Sequence, residues 1–218
     1  MKRNYALALM LLIAGPCLLP GAGRAQSGPA HQPAAAQALT RNPYSHAASA
    51  HAMRPTLPDR FTAYASESIG NNQICVAGRT TDVDGINQKP VVYVAEQASK
   101  RLLWITSLDV PPDMYQSRAT HCTRRGDSVY VLLQSDTQSE QSLSQTLLRV
   151  VKLGATNGTV QTQQDVDVPK AYSAWVDEGA AHFTWHADRL VVEGHDRLDA
   201  DHDQQGTFTR RLNDDLKP

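Results

Sequence analysis

The stretch Asp109–Leu133 reads "DVPPDMYQSRATHCTRRGDSVYVLL", and Asp167–Glu193 reads "DVPKAYSAWVDEGAAHFTWHADRLVVE". Each begins with Asp-Val-Pro, passes a Tyr and a His-x-Thr, and ends in a turn followed by β-forming residues. The two Asp-Val-Pro motifs lie 58 residues apart, and the two His-x-Thr motifs, which begin at His121 and His182, lie 61 residues apart. The spacing indicates a structural unit that occurs twice, with loops that absorb the three-residue difference.

Short runs of β-forming residues occupy the chain around these two stretches. Turn signals separate the runs, among them Asp84-Gly85 and Asn157-Gly158, and such dipeptides between β runs favour hairpins. No stretch shows a helical period, so the sequence predicts an all-β domain of about eleven strands. The predicted strands cover residues 61–66, 73–78, 91–97, 101–108, 120–124, 128–134, 146–153, 159–166, 181–186, 189–194 and 207–212.

The pattern over residues 70–212 resembles the blades of a β-propeller, in which antiparallel units of about 40–50 residues recur. One sheet of three or four strands cannot bury its own faces, so successive copies stack. Propellers close with about four to eight blades, whereas three units are visible here. We therefore expect repeated antiparallel units of three or four strands in a partial, propeller-like arrangement. A β-sandwich, a barrel and a ring closed by self-association are the alternatives.

The first 25 residues have the features of a secretory signal peptide. Lys2 and Arg3 precede an apolar run over residues 6–15, and Gly23-Arg24-Ala25 offers small residues for cleavage. The run is shorter than the roughly 20 residues that a transmembrane helix needs. We therefore predict a cleaved signal over residues 1–25 and a protein that is periplasmic or secreted.

Residues 26–57 are rich in Ala, Gln, His, Ser and Pro, which is typical of a flexible linker. The all-β repeat domain is expected to span residues 58–218. Without residues 1–25 the chain keeps 18 basic and 22 acidic residues, a net charge of −4. This charge offers no electrostatic basis for binding nucleic acid, and no second apolar run is long enough to span a membrane.

Cysteine usage fits export. Cys17 lies in the predicted signal, which leaves Cys75 and Cys122. Two cysteines in an oxidising compartment predict one disulfide, expected to link the first strands of adjacent units. Two separate buried thiols are the alternative.

The acidic stretch "DADHDQQG" at residues 199–206 carries Asp199, Asp201 and Asp203 at alternate positions. Such carboxylates can bind calcium, and the spacing resembles the start of an EF-hand loop. Gln204 stands where that loop needs Gly, and Arg210 stands where it needs Glu. The sequence therefore predicts an ordinary solvated hairpin loop, with a calcium site as the alternative and no other cofactor.

Tyr115, Tyr172 and Trp175 follow the Asp-Val-Pro motifs in connecting segments. Loop aromatics can form a binding surface for protein or sugar, or they can fill the gap between packed sheets. His182 and His186 share the spacing of a zinc-binding pair, but on a strand their Cα atoms would lie about 13 Å apart. One metal ion could not be held by both.

No catalytic fingerprint occurs in the sequence. We therefore expect an exported interaction module whose partner is a protein of the cell envelope, for example a toxin that it neutralises. A metal-assisted hydrolase acting on cell-wall or sugar substrates is the alternative, and the lack of a catalytic fingerprint favours a protein that is not an enzyme.

Overall fold

The computed structural model describes residues 55–137, 144–198 and 205–218. These ranges contain twelve strands and one 3-10 turn, Ala180–His182. All eleven predicted strands are present, and a short twelfth, β9, was missed. The strands are β1 Thr62–Ser68, β2 Gln73–Thr80, β3 Lys89–Glu96, β4 Leu102–Ser107, β5 Gln116–Arg125, β6 Ser128–Asp136, β7 Thr146–Gly154, β8 Val160–Asp165, β9 Ser173–Trp175, β10 Phe183–His186, β11 Arg189–Arg197 and β12 Gln205–Leu212.

The strands form three antiparallel four-stranded sheets in chain order. Sheet 1 has the order β1-β2-β3-β4, and sheet 2 has the order β5-β6-β7-β8. In sheet 3, β11 pairs with β12 along one edge, while β10 and β9 pair with opposite ends of its other edge. The 3-10 turn therefore interrupts what is otherwise one edge strand.

Sheet 2 lies between the other two sheets and is packed on both faces. The side chains of β6 alternate. Val129, Val131 and Leu133 enter a core shared with sheet 1, and Tyr130 and Leu132 enter a second core shared with sheet 3. The nearly continuous apolar run of β6 is explained by this position, because both of its faces are buried.

The two Asp-Val-Pro motifs occupy corresponding connections. Asp109-Val110-Pro111 follows β4 and leads to sheet 2, and Asp167-Val168-Pro169 follows β8 and leads to sheet 3. Each proline lies four residues beyond the end of its strand, where it cannot donate to a ladder and so keeps the connection from continuing the sheet. The all-β class and the antiparallel four-stranded units are confirmed. No sheet within the described ranges closes on itself, so the barrel alternative is wrong.

The predicted disulfide is also confirmed. Cys75 and Cys122 are bonded, with their Cα atoms 6.3 Å apart. The expected link between two first strands is wrong in one respect, because Cys75 lies on β2 and not on the first strand of sheet 1. The strand β1 joins the sheet at the edge of β2 and so displaces it from the first position.

The predicted signal peptide, residues 1–25, lies outside the described residues, as does the predicted linker up to residue 54. In the part of the chain that is described, no helix is long and apolar enough to cross a membrane.

Candidate functional site

A groove of about 340 Å³ lies at the end of sheet 2, between the two Asp-Val-Pro connections. We call it the Pro111–Val168 groove. Its lining is mainly apolar and comes from four segments. The first connection supplies Pro111, Pro112 and Met114; β6 and β7 supply Ser135, Leu147, Leu148 and Arg149; β8 and the second connection supply Asp165, Val166, Asp167 and Val168; and the start of sheet 3 supplies Ala171, Ser173 and Ala174.

Backbone hydrogen bonds hold these segments in place. The Val166 N–H donates to the Leu148 carbonyl at 2.9 Å, which continues the β7–β8 ladder beyond the end of the strand. The Ala171 N–H donates to the Val168 carbonyl at 3.0 Å, forming a turn that brings sheet 3 against the groove. The groove is therefore preformed, as ligand sites generally are.

Leu147 is an exposed apolar side chain of the groove. It is 40% exposed, whereas its neighbour Leu148 is 3% exposed, because successive residues of β7 point to opposite faces. The Arg149 Nε donates to Asp165 Oδ1 at 2.5 Å, so the groove also has one charged pair in its lining. The apolar lining can hold an apolar side chain, and the Arg149–Asp165 pair can orient a polar group beside it.

A second cleft lies where β1, β5 and β9 approach each other, and it contains His121. A chain of hydrogen bonds crosses its floor. The Gln134 Nε2 donates to Thr120 Oγ1 at 3.1 Å, the Thr120 hydroxyl lies 3.0 Å from His121 Nδ1, and His121 Nε2 lies 2.9 Å from the Asp177 carbonyl. His121 therefore donates from Nε2 and accepts at Nδ1.

Burial lowers the pKa of His121, and the neighbouring His182 lowers it further, although the Asp177 carbonyl acts in the opposite direction. The imidazole is consequently neutral near pH 7. Both ring nitrogens already have protein partners, so neither is free to act as a general base. His121 is best explained as a link between sheet 2 and the segment that follows β9.

Arg118, a charged residue of the same cleft, is paired within the protein. Arg118 Nη1 lies 2.6 Å from Asp136 Oδ2, and Gln116 Nε2 and Thr146 Oγ1 donate to the same carboxylate at 2.9 and 2.8 Å. Gln134 additionally binds both the N–H and the carbonyl of Val176. The Asp136 contacts join strands within sheet 2, and the Gln134 contacts join sheet 2 to the segment after β9. The Pro111–Val168 groove is therefore the stronger candidate for a ligand.

The structure does not bring the three predicted binding aromatics into one cavity. Tyr115 lines a cavity of about 610 Å³ beside residues 58–60. Trp175 lines the His121 cleft and stacks on His195, with ring centroids 5.7 Å apart. Tyr172 lies under the guanidinium of Arg197, 5.8 Å from its ring centroid. Their role in binding stays a prediction.

Sequence reasoning missed the residues that give the groove its apolar character, above all Met114, Leu147 and Val168. One signal was available, since Met114 and Val168 lie in or beside the two Asp-Val-Pro connections. Leu147 could not be distinguished from a core residue, because "TLLRVV" reads as an ordinary buried strand.

Within the described ranges, no group of three or more His, Cys, Asp or Glu side chains is placed to hold a metal ion. His182 ends the 3-10 turn and is not part of the strand, which corrects the prediction that it shares a strand with His186. Asp199, Asp201 and Asp203, the predicted calcium ligands, lie outside the described residues.

The fold and the groove define a class, an all-β protein of stacked antiparallel sheets with an apolar groove between two connections. No protein-family model matches this chain, and no relative was found among the curated proteins.

Proposed function

We propose that this chain is an exported interaction module that binds a protein partner of the cell envelope through the Pro111–Val168 groove. The observation that carries the proposal is the convergence of both Asp-Val-Pro connections on one preformed, mainly apolar groove of about 340 Å³.

The size and chemistry of the groove support a peptide segment as the occupant. Its volume is at the lower end of the roughly 300–1,000 Å³ found for ligand sites, so it holds one or two side chains. The lining combines apolar residues, among them the exposed Leu147, with the charged Arg149, Asp165 and Asp167, as a protein interface combines an apolar centre with a polar rim. A partner side chain seated there would remove Leu147 from water.

Export is supported by the Cys75–Cys122 disulfide, because such bonds persist in oxidising compartments. The predicted signal peptide over residues 1–25 would direct the chain to export. N-terminal sequencing of protein recovered from the periplasm or the medium tests this point. We expect a chain that begins close to Gln26, and a chain that retains Met1 would contradict it.

No specific observation favours the alternative, a metal-assisted hydrolase acting on cell-wall or sugar substrates. Its best histidine, His121, has both ring nitrogens engaged by Thr120 and Asp177.

Selection of peptides from a displayed random library against the wild-type protein tests the proposal. We expect enriched sequences that share an apolar residue and that bind the Leu147→Asp variant at least about tenfold more weakly, since a carboxylate would then face the apolar lining. Val83→Asp is the matched control, because Val83 is an exposed apolar residue, 74% accessible, outside the groove. Equal binding by wild type and Leu147→Asp would contradict the proposal.

A further inference from the structure

We propose that the partner segment binds as an extended strand added to the outer edge of β8, with one of its apolar side chains seated in the Pro111–Val168 groove. This inference rests on the proposed function and specifies how the partner is held.

Within the described residues, β8 is an edge strand that no other segment covers. Its sequence is "VQTQQD", residues 160–165, and all six residues are exposed. Among the described strands, β7 is its only neighbour in the sheet. No Pro or Lys, the residues that commonly protect an edge from further pairing, occurs within it.

The hydrogen-bond alternation shows which backbone groups of β8 face outward. The Val166 N–H donates to Leu148, so Val166 occupies a hydrogen-bonded position on the β7 ladder. In an antiparallel pair such positions alternate, and Gln164, opposite Val150, is therefore bonded as well. The N–H and C=O groups of Gln163 and Asp165 consequently point away from β7.

A side-chain contact agrees with this assignment. The exposed Gln164 Nε2 donates to the Asp165 carbonyl at 3.3 Å, which places that carbonyl outside the β7 ladder. An added strand could replace this long bond with a backbone N–H. Gln163 and Asp165 thus offer a donor and an acceptor each, the arrangement used when an extended peptide joins a sheet edge.

The edge and the groove are continuous. Asp165, Val166, Asp167 and Val168 line the groove, and Gln163 lies two residues before Asp165 on β8. Residues 163–168 span about 16 Å at about 3.3 Å per residue. A peptide of about six residues could therefore pair with Gln163 and Asp165 and still place an apolar side chain beside Leu147. The ligand class is an extended peptide segment with one apolar anchor.

Replacing Gln163 by proline tests this inference with a peptide selected on the wild-type protein. Proline removes the outward N–H of residue 163 but no ladder hydrogen bond to β7, because residue 163 occupies a non-bonded position. We expect Gln163→Pro to weaken peptide binding about tenfold, the effect of leaving a backbone acceptor without its partner. Gln163→Ala is the matched control. It removes the same side chain and keeps the N–H, so the loss of affinity in Gln163→Pro beyond that in Gln163→Ala measures the N–H alone.

Amide hydrogen exchange of the wild-type protein gives a second readout that does not depend on how the proline variant folds. Saturating peptide should slow exchange of the Gln163 and Asp165 amides and leave that of Gln164 little changed, because the Gln164 amide is already bonded to β7. Unchanged exchange at Gln163 and Asp165 would overturn the strand addition.

The outcomes separate this inference from the function on which it rests. A peptide that binds wild type, loses affinity with Leu147→Asp and binds Gln163→Pro normally would overturn the added strand and leave the groove as the binding site. A protein that is dimeric in sedimentation and becomes monomeric with Gln163→Pro would show that a second copy occupies the edge, and would overturn the peptide as occupant.

Discussion

Cys75 on β2 and Cys122 on β5 join sheet 1 to sheet 2 through a disulfide that lies within their shared core, where both residues are buried. The bond closes a loop with a sequence separation of 47 residues. In the chain-entropy account, a loop of this length restricts the unfolded chain enough to stabilise the fold by about 3–4 kcal/mol.

We therefore predict that the Cys75→Ser/Cys122→Ser variant loses about 3–4 kcal/mol of unfolding free energy. Urea unfolding followed by tryptophan fluorescence measures the loss. The wild-type protein with reductant should match the variant, and the variant should not respond to reductant. A variant as stable as oxidised wild type would show that the disulfide does not contribute to the unfolding free energy.

Strand positions followed from alternation and turn chemistry because these are local signals. The short strand β9 was not predicted, since the three residues of "SAW" are too few to show a period. The sequence also did not reveal that β1 pairs with β2, which moved Cys75 from the first to the second position of its sheet. Pairing between strands depends on contacts along the whole sheet, which no local window contains.

The His121 network predicts a pH-dependent stability. Burial lowers the pKa of His121 in the folded state, so the unfolded chain binds a proton there more readily. The unfolding free energy should therefore hold above about pH 6.5 and fall as the pH drops below that value, by up to about 1.4 kcal/mol per pH unit.

Unfolding free energies between pH 7.5 and 5.5 test this prediction. His121→Asn should show a flatter dependence than wild type, because the buried titrating group is gone. His186→Asn is the control, since it makes the same substitution at a histidine that is exposed on β10. Parallel profiles for wild type and His121→Asn would rule out His121 as the cause.

The C-terminal segment is anchored to sheet 2 by Asp214. The Tyr130 hydroxyl donates to the Asp214 carboxylate, and Lys152 Nζ lies 2.7 Å from the same group. Lys152 and then Tyr130 lower the pKa of Asp214. Burial raises the pKa of Tyr130 to about 12, and its hydrogen bond to Asp214 adds to the effect, so the phenol stays a donor at neutral pH.

We predict that Tyr130→Phe destabilises the protein by about 1 kcal/mol at pH 7, because one hydrogen bond is lost while the ring stays in the core. The loss should shrink near pH 3. Asp214 has a lowered folded-state pKa, so its contribution is present above its ordinary pKa and disappears as the pH falls through the folded value. Tyr93→Phe is the control, because the described contacts of Tyr93 include no hydrogen bond from its hydroxyl. Equal effects of the two substitutions at pH 7 would contradict the anchoring role.

The acidic stretch with Asp199, Asp201 and Asp203 predicts a solvated loop, because Gln204 and Arg210 replace the residues that a calcium loop needs. Thermal unfolding with millimolar calcium should therefore match unfolding with a chelator. A calcium-dependent rise of the midpoint, together with a heat of binding, would establish the site by mass action.

The groove was less predictable than the fold. The duplicated Asp-Val-Pro pointed to two corresponding connections, but only the stacking of the sheets brings Pro111 and Val168 into one lining. The three predicted binding aromatics lie in different places because the stacking of the sheets, and not the local sequence, sets their positions. Trp175 faces His195 on sheet 3, whereas Tyr115 faces the beginning of the domain, and nothing local in either sequence indicates those neighbours.

Site-specific photo-crosslinking in the native cells tests the central claim most directly. A benzoylphenylalanine at position 147 lies in the groove, and the same residue at position 83 provides an exposed control outside it. We expect position 147 to give one discrete protein adduct in the envelope or secreted fraction, suppressed by a peptide selected for the groove, and position 83 to give none. Absence of an adduct at position 147, or the same adduct from both positions, would contradict the groove as the partner's binding site.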